Sequence, residues 1–236
     1  MRNNYKKFLT FTLFAASLLL SASVTHAERA DRYSKSNNTN NSTYSGSYQE
    51  VYTLYEQGND FYNQKDYLQA ISAYEKALNI NPNFDLALNG KGWALRELQD
   101  YVNALDVFSK AIAINPGSYA HWQGKGNVLY YLGRYEESLL AYNVSLSTNF
   151  NSHNSQAGKA WALGRLAKYE AALESFDTAI EMDGEIANYW TGKGWVLYEM
   201  GRYREATNTF DRALELNPGD RFALYYLKLI NKGLIQ

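Results

Sequence analysis

The three prolines of this chain, Pro82, Pro116 and Pro218, are separated by 34 and by 102 residues, and 102 is three times 34. The same interval recurs elsewhere. A Gly-Lys pair opens at Gly90, Gly124, Gly158 and Gly192, each 34 residues after the last. Trp93, Trp161 and Trp195 are 68 and 34 apart, and Trp122 and Trp190 are 68 apart. A fixed interval of this length marks a helix–turn–helix array, in which each unit buries its apolar face only against its neighbours. With position 1 at Val51, five units follow without gaps: residues 51–84, 85–118, 119–152, 153–186 and 187–220.

Each position of the unit has a physical reading. Position 17, predicted to open the second helix, is Tyr67, Tyr101, Tyr135, Tyr169 and Tyr203. Positions 20, 24 and 27 follow the i, i+4, i+7 spacing of one helical face. They read small, large, small: Ala70, Tyr74, Ala77 in the first unit and Ala206, Phe210, Ala213 in the fifth. Position 8 is Gly58, Gly92, Gly126, Ala160 and Gly194, a small residue expected to face the small position 20. Gly133 and Gly201 fall where the first helix ends, the place for a glycine cap. Proline at position 32 ends the second helix, which it cannot continue.

These residues carry a resemblance. The spacing Leu54, Gly58, Phe61, Ala70, Tyr74, Ala77, Pro82, matched by Trp190, Gly194, Leu197, Ala206, Phe210, Ala213, Pro218, resembles the tetratricopeptide repeat over residues 51–220. The resemblance implies an all-α fold: a right-handed superhelix of five tandem helix–turn–helix repeats. Residues 221–236 supply the C-terminal capping helix, with Phe222, Tyr225, Tyr226 and Leu229 as its apolar stripe. Such a helix covers the last apolar face of an array. The third unit departs most, with Ser138, Ser145 and Phe150 in place of Ala, Ala and Pro, and the fourth carries Gln156 and Gly184. A buried hydroxyl without a partner costs about 1 kcal/mol or more, so the junction between these units is expected to be the least rigid.

The chain ahead of the array divides in two. Arg2, Lys6 and Lys7 precede an apolar run, Phe8 to Leu20, and Thr25-His26-Ala27 offers small side chains at both cleavage subsites. This is the layout of a secretory signal peptide over residues 1–27. The run is shorter than the roughly 20 apolar residues of a membrane span, so no span is expected after cleavage. Residues 28–50, with Asn37 to Thr43 at their centre, are Ser/Asn-rich and have little to bury; they read as a disordered linker. Removing 1–27 takes away three bases and no acids, leaving 20 basic and 24 acidic residues, a charge of −4. An exported protein, periplasmic or extracellular, is the expectation.

Much chemistry is excluded at once. There is no cysteine, which removes disulfides, thiolate metal sites and cysteine nucleophiles. The formal charge of −1 shows no basic excess of the kind nucleic-acid binders carry. His121 and His153 sit at unrelated repeat positions and read as surface histidines without catalytic or metal partners. Gly90-Lys91-Gly92 lies mid-helix, where its amides are already bonded, so it is no phosphate loop. The lysines at position 7, Lys91, Lys125, Lys159 and Lys193, are expected to lay their stems between helices with the ammonium in water. No enzyme, cofactor or metal is expected.

The resemblance implies a concave groove lined by first-helix positions 2, 5, 6, 9, 12 and 13. Its binding residues would include Asn59, Trp93, Arg96, Asn127, Tyr130, Trp161, Arg165, Trp195 and Tyr198. Each of the three tryptophans has a glycine three residues earlier, over which its ring could lie. The groove could hold a peptide of another protein, giving a protein–protein interaction scaffold, or stack sugar rings on its Trp and Tyr faces, giving a glycan-binding module. Self-association of the chain is compatible with either. The Lys and Arg that grip a terminal carboxylate in some relatives are missing; only Asn59 fits that set.

Overall fold

A computed structural model describes residues 43–233, and among these every regular element is an α-helix. We number them α1 (Thr43–Asn63), α2 (Tyr67–Ile80), α3 (Asp85–Glu97), α4 (Tyr101–Ile114), α5 (Tyr119–Tyr131), α6 (Tyr135–Thr148), α7 (His153–Arg165), α8 (Tyr169–Met182), α9 (Ala187–Glu199), α10 (Tyr203–Leu216) and α11 (Arg221–Asn231). All five second helices begin at the tyrosines that the 34-residue interval picks out. Residues from Val51 onward form one compact unit, a solenoid in which each helix packs on the next.

The signal segment 1–27 and residues 28–42 of the linker lie outside the described residues. The linker's expected end is too late, because α1 already runs from Thr43. Its later turns are anchored by buried Val51 and by Tyr52 and Tyr55 packed on the first unit's core. Once a helix is anchored, adding residues to its end costs little, so the polar stretch before Val51 joins it.

Every turn between paired helices uses one device. Position 15 takes a positive φ in all five units: Lys65 63°, Gln99 62°, Gly133 75°, Ala167 56° and Gly201 74°. The next amide reaches back to the carbonyl five residues earlier, as in Arg134 to Leu129 at 2.9 Å and Lys168 to Leu163 at 3.0 Å. That bond and its inner companion close the helix end in the Schellman pattern. Only two of the five positions hold glycine; Lys65, Gln99 and Ala167 carry the left-handed backbone against their Cβ.

The aromatic ring at position 24 is the centre of each repeat. Tyr74, Phe108, Tyr142, Phe176 and Phe210 are at most 3% exposed. Glycines explain how such rings fit. A methyl added at Gly92, in the same unit, would come within 2.8 Å of Phe108, and one at Gly124, in the next unit, would overlap the same ring. Tyr74 lies likewise between Gly58 and Gly90, and Tyr142 between Gly126 and Gly158. The small residue at position 8 meets the ring at position 24 and, in the third unit, the position-20 side chain Ser138 as well. One expectation is corrected here. The glycine at position 6 clears space for the ring of the preceding unit, not for its own tryptophan; Gly192 faces Phe176 and Trp161.

The third and fourth units do not leave their serines unmet. Ser138 Oγ donates to the Gly126 carbonyl at 2.7 Å. Ser145 Oγ donates to the Tyr119 carbonyl at 2.9 Å and lies 2.8 Å from Ser155 Oγ, which also receives Ser152 Oγ at 2.9 Å. A polar seam thus replaces the methyl packing of the other units, at hydrogen-bonded cost rather than the cost of orphaned hydroxyls. Gly184 keeps the contact that Pro116 makes: Trp190 Nε1 donates to the Gly184 carbonyl and Trp122 Nε1 to that of Pro116, both at 2.8 Å.

Candidate functional site

The first helices line one face of the solenoid, and their side chains enclose a groove of about 670 Å³. Helix α3 contributes Trp93 and Arg96, α5 contributes Gln123, Asn127, Tyr130 and Tyr131, and α7 contributes Asn154 and Trp161. Helix α9 adds Asn188, Tyr189 and Thr191, and Phe222 at the start of α11 forms the far wall. Of the nine residues expected from sequence, Trp93, Arg96, Asn127, Tyr130 and Trp161 meet here.

The other four do not. Asn59 accepts the Tyr74 hydroxyl at 2.8 Å and is used within the first unit. Arg165 is exposed, its Nε donating to the Tyr135 hydroxyl at 3.1 Å with the guanidinium over the same ring at 5.2 Å. Tyr198 packs edge-on against Tyr203 and Tyr226, with centroids 5.6 and 4.7 Å away. Trp195 is core, 6% exposed. The reason is Gly164: at position 12 the other units hold Tyr62, Arg96, Tyr130 and Tyr198, and the space left by their absence is filled by the Trp195 ring, 2.6 Å from where a Cβ would stand.

Trp161 stacks on this buried ring and meets Phe176 and Phe222 edge-on. Trp93 is edge-on to Phe108 at 5.5 Å. Arg96 is held on all sides. Its Nε donates to Asn127 Oδ1 at 2.9 Å, its terminal nitrogen pairs with Glu97, and its guanidinium lies 5.2 Å from Trp93 and 5.7 Å from Tyr131. Burial pushes the Tyr130 hydroxyl up to about 12, with Arg165 working against the rise. Burial likewise raises Tyr142 well above the usual phenol range, partly offset by Asn127. These hydroxyls are therefore neutral hydrogen-bonding groups at neutral pH.

Some groove residues escaped the sequence reading. Asn154 and Asn188 stand at position 2 and Gln123 at position 5, both groove positions, so the register carried the signal. Phe222 belongs to no repeat and had none. His121 corrects the surface reading. It is 1% exposed, with Nε2 3.0 Å from Asp85 Oδ2 and Nδ1 3.2 Å from Asn89 Oδ1. It joins α5 to α3 and serves the packing of the second and third units. Two of the position-7 lysines reach an acid of the preceding unit, Lys91 to Glu75 at 2.7 Å and Lys193 to Asp177, while Lys125 lies over Trp122 of its own helix. Among the described residues no group of three or more metal-ligating side chains is gathered.

A model of the tetratricopeptide repeat family matches residues 55–119 and 158–221, together more than half the chain. The chain belongs to the tetratricopeptide repeat family. Solved structures agree at the level of the fold. YrrB, described as a TPR protein with an unusual peptide-binding site, is 22% identical, with 75% of this chain and 91% of that one covered and a TM-score of 0.58. A thermophilic TPR protein from Thermus thermophilus is 19% identical, with 79% and 100% covered and a TM-score of 0.65. MamA from Desulfovibrio magneticus is 19% identical, with 73% and 97% covered and a TM-score of 0.62. No curated protein matches this sequence. The fold is that of a protein–protein interaction scaffold.

Proposed function

We propose that this protein is an exported, non-enzymatic scaffold, periplasmic or extracellular, that binds a peptide segment of another protein in the groove of α3, α5, α7, α9 and α11. One observation carries the reading. Of the five tryptophans, three donate their indole N–H within the protein: Trp122 and Trp190 to backbone carbonyls and Trp195 to Glu199. The two that line the groove, Trp93 and Trp161, make no such bond, and among the described residues no buried side-chain nitrogen or oxygen lacks a partner, so both indole N–H groups reach solvent. Large aromatic rings with an available polar handle are the usual anchors of an interface.

Glycan binding would favour a run of open tryptophan faces. Here Trp195 is buried and covers one face of Trp161. A groove of half-buried rings interleaved with amides suits a peptide better. Export rests on the N-terminal layout, and none of the described helices is long and apolar enough to cross a membrane.

Pull-down of partners from the host's exported proteins, compared between the native chain and Trp93→Ala, tests the reading. Loss of at least about thirtyfold in affinity per folded molecule, beside a stability loss of no more than about 1–2 kcal/mol, is expected for a hot-spot ring. Equal capture by both proteins would remove the groove from consideration. N-terminal sequencing of the exported chain should begin at Glu28.

A further inference from the structure

Resting on the peptide reading, we infer that the groove selects an uncharged, extended segment from the interior of its partner's chain rather than a charged peptide or a free chain end. The argument is one of unspent capacity. Two charged side chains line the groove, Arg96 and Asp220, and both are committed. Arg96 is engaged by Glu97, Asn127 and two aromatic rings. Asp220 caps α11, with Oδ1 accepting the amides of Phe222 and Ala223 at 2.9 and 3.1 Å and Oδ2 accepting the Thr191 hydroxyl. A terminal carboxylate or an acidic side chain entering the groove would lose water and meet only a guanidinium whose charge Glu97 already balances, which is costly.

Neutral hydrogen-bonding groups, by contrast, are available. The indole N–H groups of Trp93 and Trp161 are donors without a protein acceptor, and the amides of Gln123 and Asn188 have no hydrogen bond to described residues. Indoles only donate, so the ligand must offer acceptors; side-chain amides both donate and accept. An extended backbone supplies carbonyls and N–H groups in alternation. A helical peptide has already spent them on itself, so the extended form matches this wall.

The test uses the purified protein and two phage-displayed libraries of random peptides, one with the variable segment embedded between fixed flanks and one ending in a free C-terminus. Selection is repeated on the double variant Trp93→Phe, Trp161→Phe, which keeps an aromatic ring at both positions and removes the indole donors together with the smaller ring of each indole. The embedded library should yield binders poor in Asp, Glu, Lys and Arg. A synthetic binder with both ends blocked should change affinity less than about twofold when salt rises across the range that screens surface charge. The double variant should bind it roughly tenfold or more weakly, as for two lost neutral hydrogen bonds. Binders dominated by charged residues, or drawn only from the free-end library, would overturn the inference and leave peptide binding standing. If neither library enriches above the double variant, the peptide reading itself falls, and binding to a glycan array that the same variant abolishes would replace it.

Discussion

The indole of Trp161 lies on that of Trp195, ring centroids 5.4 Å apart and planes 16° from parallel. Both occupy position 9, yet they have different work: Trp195 is sealed in the core while Trp161 presents its other side to the groove. Trp195→Ala should therefore cost about 3–5 kcal/mol of stability, as for other buried aromatics. Trp93→Ala, at a half-buried ring, should cost about 1–2 kcal/mol. Urea denaturation of the two variants side by side checks the order.

Alanine at Gly124 should destabilise the protein by about 1–3 kcal/mol, because its methyl is driven into the Phe108 ring. The effect opposes helix propensity, which alone would favour alanine by about 1 kcal/mol. Gly117→Ala, whose methyl would meet only Asn115 Oδ1 at 3.8 Å, should stay within about 0.5 kcal/mol of the native protein. A stabilised Gly124→Ala in thermal melts would contradict the packing.

Ala167 adopts φ 56° at the position where Gly133 and Gly201 stand in other units. Ala167→Gly should raise stability by about 1 kcal/mol by removing the clash of Cβ with the backbone. A fall in melting temperature would count against it.

Burial alone would raise the Asp85 carboxyl, but hydrogen bonds from His121 and Asn115 outweigh it and hold the group below its ordinary 3.8. A carboxyl whose pKa is lowered by folding stabilises the fold above its unfolded value and stops doing so as pH falls through the native one. Stability should thus drop as pH falls below about 3.8. Asp85→Asn should be less stable at neutral pH and show a flatter acid limb in melts taken across that range.

At the alkaline end, burial raises Tyr62, Tyr130 and Tyr189 to about 12, with Glu97 adding to the rise at Tyr62 and Asp183 at Tyr189. For a phenol raised by folding, the stabilisation is complete below the ordinary value of 10.0 and is lost as pH climbs toward 12. Ultraviolet titration should find a group of phenols that ionise only as the array unfolds. A single transition near the ordinary value for all tyrosines would refute this.

The fold was legible because a repeat states each instruction several times: five tyrosines marked five helix starts, and each was met. The groove was legible where residues act at their own register position, as with Trp93, Asn127 and Trp161. It was not legible where the outcome depends on a neighbour. Nothing in position 9 tells Trp195 from Trp161; the difference lies in Gly164, two turns of logic away in another unit. His121 looked like a surface group because its partners, Asp85 and Asn89, sit 36 and 32 residues earlier. Phe222 closes the groove from outside the repeating part of the chain altogether.

The ring at position 24, met by a small residue of its own unit and by position 6 of the next, also distinguishes the two ends of the array. An internal unit must bring glycine to position 6, and the second to fifth units do so with Gly90, Gly124, Gly158 and Gly192. The first unit has Glu56 there, which would drive a carboxylate into an aromatic ring if another unit were placed ahead of it. At the opposite end the same register position falls on Tyr226, whose ring stacks on Phe210 at 5.8 Å and closes the slot with a plug instead of a socket. Two non-glycine residues thus mark the outer edges of the array: neither Glu56 nor Tyr226 leaves the socket that Gly90, Gly124, Gly158 and Gly192 supply between successive units.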